Sequence, residues 1–274
     1  MRIRLGDLRR LIREYSDTGC RYEGAVIKSL KLAGAAGYMK KAACSNSDRP
    51  DADIKVGGEV FYVEVKANSH AQMGGGSVGY SLTDRKFFPT GENRELSQMI
   101  VDILNDMNDT SLHKGLKTLM THLGRSSGKA LTQVPMSGFS AQAWDDAKDY
   151  GLLQAINRTF QSDMSVIANH YARKDTHYIQ IGGAGFFRLG ESNPANLPVP
   201  VLTGRVQLEV RIAKGGDTGN VSKAGMRVQA RLATAGTSPY SLDDPESVEE
   251  MLAAAGAQPA PAAKPAAKKK PRAA

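Results

Sequence analysis

Four charged side chains lie close together in the stretch RPDADIKVGGEVFYVEVKANS: Asp51, Asp53, Glu64 and Lys66. Carboxylates gathered at this spacing repel one another unless a cation compensates, and hard oxygen ligands select Mg2+ or Mn2+ over softer metals. A lysine beside such an ion reaches a water molecule or a phosphate oxygen. The chemistry that suits the set is hydrolysis of a phosphodiester: the metal acidifies water and neutralises developing charge, and the lysine orients the nucleophile. The competing explanation is a solvated hairpin face, because alternating charge is also what an exposed strand shows.

Two paired strands must position these groups. Side chains on a strand alternate between faces with a period of two. In VFYVEVK, Phe61, Val63 and Val65 therefore point one way while Tyr62, Glu64 and Lys66 point the other. On the preceding strand Ile54 and Val56 match the apolar face, and Asp51, Asp53 and Lys55 the polar one. Gly57-Gly58 suits the turn, since tight hairpin turns need positive φ. A two-residue turn sets Val56 opposite Glu59 and Asp51 opposite Glu64. A four-residue turn sets Asp53 opposite Glu64 instead. Both keep the apolar face intact, so the pattern admits either.

Other motifs fail on inspection. GRSSGKA (Gly124–Ala130) has three residues between its glycines where a phosphate-binding P-loop has four, and Ala130 stands where the magnesium-binding hydroxyl belongs. GGAGFF lies between apparent strands with no helix after it, unlike a dinucleotide fingerprint. The five histidines lack H-E-x-x-H spacing, and no G-x-S-x-G elbow occurs. Cys20 and Cys44 have no C-x-x-C spacing and read as reduced, small buried hydrophobes.

The 274 residues carry a net charge of +8. From Ser241 onward five acids balance five bases, so the excess belongs to residues 1–240. A basic folded body points to a polyanionic partner, most simply nucleic acid. No apolar run is long enough to span a membrane, and the charged start MRIRLGDLRRLIREYSD has no apolar core of a signal peptide. A cytoplasmic location without membrane attachment is expected.

Periodicity predicts a short basic helix over DLRRLIREYSDTG, a second helix from Arg21 to Leu32, and a weak strand at YMKKAAC. The glycine-rich ANSHAQMGGGSVGYS reads as a mobile loop. NRELSQMIVDILNDMND reads as a helix and residues 110–140 as irregular, and SAQAWDDAKDYGLLQAINRTFQSDMSVIANHYARK as helical with a break near Gly151. THYIQIGG, GFFRLG, TGRVQLEVRIAK and AGMRVQARLAT alternate as strands do. The expected division is a core over residues 1–172, a β-rich extension of the sheet or small lobe over 173–237, and a terminal part over 238–274. That last part holds a short acidic helix and a disordered basic Pro/Ala/Lys tail.

PDADI followed by YVEVKA resembles the PD-(D/E)XK nuclease superfamily, the restriction-endonuclease-like fold found in many restriction enzymes, junction resolvases and phage nucleases. The resemblance covers about residues 20–70. It implies an α/β (α+β) fold with an αβββαβ core and an Mg2+-dependent (or Mn2+-dependent) endonuclease acting on DNA, located in the host cytoplasm if phage-encoded. Carried across, Asp53 and Glu64 bind the metal, Lys66 assists the attacking water, and Glu23, on the helix RYEGAVIKSLKLAGAAGY, supplies a further carboxylate. Asp53 is preferred because it directly precedes the apolar strand residues; Asp51, which follows the proline literally, is held in reserve. Gln72 is a weaker match to a downstream glutamine, and the helix NRELSQMIVDILNDM (residues 93–107) a candidate for the helix after the third strand. The basic N-terminal helix and Met73–Gly79 are candidates for phosphate contact. Family members often form homodimers to cut both strands. The alternative is a catalytically silent nucleic-acid-binding or virion-associated structural protein on the same fold.

Overall fold

The computed structural model describes residues 5–38, 50–91, 94–215 and 222–256. Among them the chain forms α1 (Leu5–Leu32), β1 (Ala52–Val56), β2 (Glu59–Lys66), β3 (Gln72–Ser81), β4 (Lys86–Thr90) and α2 (Arg94–Met107). Next come α3 (Thr110–Ser127), β5 (Gln133–Val134), β6 (Met136–Phe139), α4 (Ala141–Asp149), β7 (Arg158–Ser162) and α5 (Ser165–Ala172). Finally β8 (Thr176–Ile181), β9 (Gly185–Arg188), β10 (Gly204–Lys214), β11 (Ser222–Ala235) and α6 (Pro245–Ala254) complete a mixed α/β protein with two sheets.

The chain divides into two compact units, each discontinuous in sequence. The first takes Met1–Ser69, Tyr171–Leu202 and Gly236–Ala274, and the second takes His70–His170 and Thr203–Ala235. The strand-rich run expected as one segment over 173–237 is thus shared: β8 and β9 belong to the first unit, β10 and β11 to the second.

In the first unit four strands pair in the order β1-β2-β8-β9. β1 runs antiparallel to β2, β2 parallel to β8, and β8 antiparallel to β9. The hairpin uses the two-residue turn, with Val56 opposite Glu59 and Ala52 opposite Val63. Gly57 and Gly58 adopt φ of 60° and 96°, the left-handed region that such a turn requires and that glycine enters without cost. Ile54, Val56, Val63 and Val65 enter a core with Val26, Ile27 and Leu30 of α1 and Val248, Met251 and Leu252 of α6. The apolar parity read from the hairpin is therefore the parity that is buried. α1 is a single helix across Gly19, where two were expected; one interior glycine weakens a helix by only about 1 kcal/mol.

The outer edge of β1 is met by the chain leaving α1, through an isolated bridge between Ala36 and Ile54 and a hydrogen bond from Lys55 N to Ala35 O (2.8 Å). The weak strand expected at YMKKAAC lies outside the described residues, as does the tail. Cys20 is half-buried on α1 and disulfide-bonded, which corrects its reading as a reduced thiol; Cys44 lies outside the described residues.

The second unit holds a seven-stranded sheet in the order β4-β3-β11-β10-β7, with β5 on β3 and β6 on β11. The glycine-rich stretch expected as a mobile loop is β3, paired with β11 and β4. Glycine is needed there for close approach: a Cβ at Gly76 would meet Ser97 Oγ at 2.7 Å, and one at Gly79 would meet the Phe88 ring at 2.3 Å. The helix expected at 93–107 is α2, which packs on β3 and β4 in this unit and does not belong to the unit that holds β1 and β2. α3 replaces part of the irregular segment expected after residue 110. It is capped by Asp109, whose carboxylate accepts from Ser111 N and Leu112 N, and it buries Leu112, Leu116, Leu119, Met120 and Leu123. No helix among the described residues is long and apolar enough to cross a membrane.

Candidate active site

The hairpin register decides which aspartate joins Glu64. With Ala52 paired to Val63, the next position outward sets Asp51 against Glu64. The Asp51 carboxylate accepts a hydrogen bond from Val65 N (3.0 Å), which ties it across the hairpin to the strand carrying Glu64 and Lys66.

Lys66 Nζ contacts Glu64 Oε1 at 2.5 Å, and these side chains are only 18% and 13% exposed. The Tyr171 hydroxyl donates to the same Glu64 oxygen at 2.9 Å. Tyr171 lies at the end of α5, where the chain returns to the first unit. Glu23 of α1 is buried at 7% exposure, and its charge is felt by both Asp51 and Lys66. Of the expected residues, the structure gathers Glu23, Glu64 and Lys66, together with the reserve Asp51.

Asp53 is corrected. Its side chain has the polar parity but is 3% exposed, and its carboxylate accepts from Tyr38 N at 2.7 Å. A Cβ on Gly37 would lie 2.6 Å from the Asp53 carboxyl carbon, so the chain after α1 sits directly over it. Asp53 fastens that segment to the sheet edge, while Asp51 faces Glu64. Gln72, the weaker match, opens β3 in the second unit.

The electrostatics follow from three carboxylates sharing one lysine. Burial, then the Glu64 charge, pushes Asp51 up from 3.8 to about 7, against the opposing pull of Lys66 and of the Val65 N–H. Burial alone would lower Lys66, but Glu64, Asp51 and Glu23 outweigh it and hold the ammonium above its ordinary value. Burial and the Glu64 charge likewise raise the Tyr171 phenol, which stays a donor.

A hard divalent cation suits this donor set. The carboxylates exceed the cations by two, and Mg2+ is commonly held by one or two carboxylates with the remaining positions left to water and phosphate oxygens. Asp51 and Glu64 would be the two ligands. Among the described residues no group of three or more His, Cys, Asp or Glu is arranged to hold an ion.

Gln180 was not visible in the sequence as a structural centre. It lies on β8 beside Val65 and is fully buried. Its amide donates to the Tyr22 hydroxyl (2.9 Å) and Ser241 Oγ (2.9 Å) and accepts from Leu242 N (2.8 Å), so it joins α1, the sheet and the segment before α6. Tyr22 also donates to Asp243 (2.8 Å), which fixes the turn of α1 next to Glu23. Tyr171 was missed because its partner is 107 residues away, a separation no local spacing signals.

No protein-family model matches the chain, and no curated protein or solved structure does either.

Proposed function

We propose that the protein is an Mg2+-dependent nuclease that hydrolyses phosphodiester bonds in DNA, with a restriction-endonuclease-like first unit. The observation that carries this reading is the hairpin pairing that sets Asp51 against Glu64 with Lys66 two residues on and Glu23 buried beside them. Part of the strand order supports it: a helix, an antiparallel hairpin and a parallel neighbour reached by a long crossover, although an αβββαβ core has three strands before its crossover and the described residues of this sheet have two.

In this reading Asp51 and Glu64 hold the cation, which when bound supplies positive charge to a phosphate and acidity to water. Tyr171 fixes the Glu64 carboxylate through its hydrogen bond. Val65 N–H fixes Asp51. Lys66 remains protonated, so its role is to donate to and orient the attacking water or a phosphate oxygen. Glu23 adds negative charge that keeps Lys66 protonated.

A second reading, a silent nucleic-acid-binding or virion-associated protein, is favoured by the direct contact of Lys66 on Glu64, which already neutralises one ligand. Incubating purified protein with supercoiled, linear, single-stranded and branched DNA and with RNA, in Mg2+ and in EDTA, separates the two. Cleavage in Mg2+ that EDTA abolishes supports the nuclease, and binding without cleavage supports the alternative. The same gel, run beside sedimentation of the protein, tests whether it acts as a homodimer.

A further inference from the structure

The second unit presents a sheet face whose charge is unbalanced. Cross-strand pairing aligns Thr90 of β4, Ser77 of β3, Arg227 of β11 and Arg211 of β10 in one row. At about 4.8 Å per strand the row spans roughly 14 Å. All four side chains are at least partly exposed. The face has one acid near the row, Glu209, and it is already engaged: Arg211 donates to it through Nε at 2.8 Å, and Arg231 Nε lies 3.6 Å from its other oxygen. The Arg227 side chain makes no hydrogen bond or ion pair among the described residues, although it stands opposite another arginine.

Two like charges placed directly across a ladder destabilise a sheet unless something compensates them. The surroundings leave room for a compensating ligand. Two adjoining depressions, of about 320 Å³ and 420 Å³, share Ser77, Thr90, Gly91 and Arg227. Next to the row Ala213 pairs with Gly225, so no bulky side chain covers the guanidinium on that side. Lys214 extends the second depression and Lys223 continues the basic strand. A continuous trough with a free guanidinium and flanking hydroxyls suits a chain of phosphates better than a single compact anion.

We propose that this sheet face binds the phosphodiester backbone of nucleic acid, with Arg227 as its main phosphate contact and Ser77 and Thr90 as flanking donors. The proposal names a substrate surface for the activity proposed above and rests on that reading for the choice of nucleic acid. It also relocates the phosphate contact expected of Met73–Gly79: Ser77 contributes from a strand, and the charge comes from β11.

The test uses the full chain in EDTA, so that cleavage plays no part. Binding of fluorescently labelled single- and double-stranded DNA is followed by anisotropy across a salt series, for wild type, Arg227→Gln and Gly225→Glu. A Cβ at Gly225 meets nothing within 4 Å, so Gly225→Glu adds a carboxylate to the trough without crowding. Arg227→Gln is expected to weaken DNA binding about tenfold at low salt and to lower the slope of log affinity against log salt by about 1. Gly225→Glu is expected to weaken binding in the same direction, with both variants melting as wild type does. Unchanged affinity and slope in both variants, or no DNA binding by the wild type, overturns the proposal. Failure of Mg2+-dependent cleavage with these binding losses intact would remove the nuclease reading and leave the surface standing.

Discussion

Asp51→Asn isolates the carboxylate crowding on which the candidate site depends. Asp51 is raised from 3.8 to about 7 by burial and by the neighbouring Glu64 charge, so the folded protein binds its proton more tightly than the unfolded chain does. The stability this proton contributes is fully present below the ordinary aspartate value and is lost as pH rises through about 7. A shift of about three units corresponds to at most about 4 kcal/mol. Asparagine keeps an oxygen to accept from Val65 N but cannot ionise. Thermal denaturation in EDTA across this pH range is therefore expected to show wild type losing stability while Asp51→Asn stays flatter. Above about pH 7 the variant should be the more stable, with roughly 2–4 °C of Tm for each kcal/mol. Mg2+ should recover the wild-type loss above that pH and leave Asp51→Asn unchanged, because a bound cation offsets the charge that burial penalises. Parallel pH profiles for the two proteins would refute the crowding on which this reasoning stands.

Asp53→Ala should lower the melting temperature, because Tyr38 N loses its acceptor at a cost of about 1–3 kcal/mol, yet retain cleavage per folded molecule. Tyr171→Phe should leave Glu64 without its buried donor, costing about 1.5–3 kcal/mol in denaturant titration and reducing the rate of Mg2+-dependent cleavage. Gly79→Ala should destabilise by about 1–3 kcal/mol in the same titration, since its Cβ would lie 2.3 Å from Phe88 and 2.7 Å from Val134 O.

The hairpin was legible because two-residue alternation and a glycine pair carry both its parity and its turn. Ile54, Val56, Val63 and Val65 lie where that alternation puts them. The choice between Asp51 and Asp53 was not legible, because both registers preserve the same faces. The structure gives the two different partners: residues 35–38 occupy the edge of β1 and take Asp53 as an acceptor, while Asp51 accepts from Val65 N. The glycines of β3 misled because glycine signals either freedom or close approach, and only the placement of Ser97 and Phe88 distinguishes them. α3 was readable from Leu112, Leu116, Leu119 and Leu123 after the capping Asp109, a helical spacing that the flanking glycines and polar residues obscured. The interleaving of the two units was hidden for another reason: one partner of β2 (β8) and one of β3 (β11) lie more than a hundred residues further on, beyond any local pattern.

The central claim rests on Lys66 acting beside Asp51 and Glu64. Its most direct test is DNA cleavage by wild type and Lys66→Ala in Mg2+ and in EDTA, with DNA affinity and thermal melts measured on both. The account predicts wild-type cleavage that requires Mg2+, and a Lys66→Ala protein that stays folded, binds DNA nearly as well and does not cut. Undiminished cleavage by Lys66→Ala, or no cleavage by wild type on any DNA form, would contradict it.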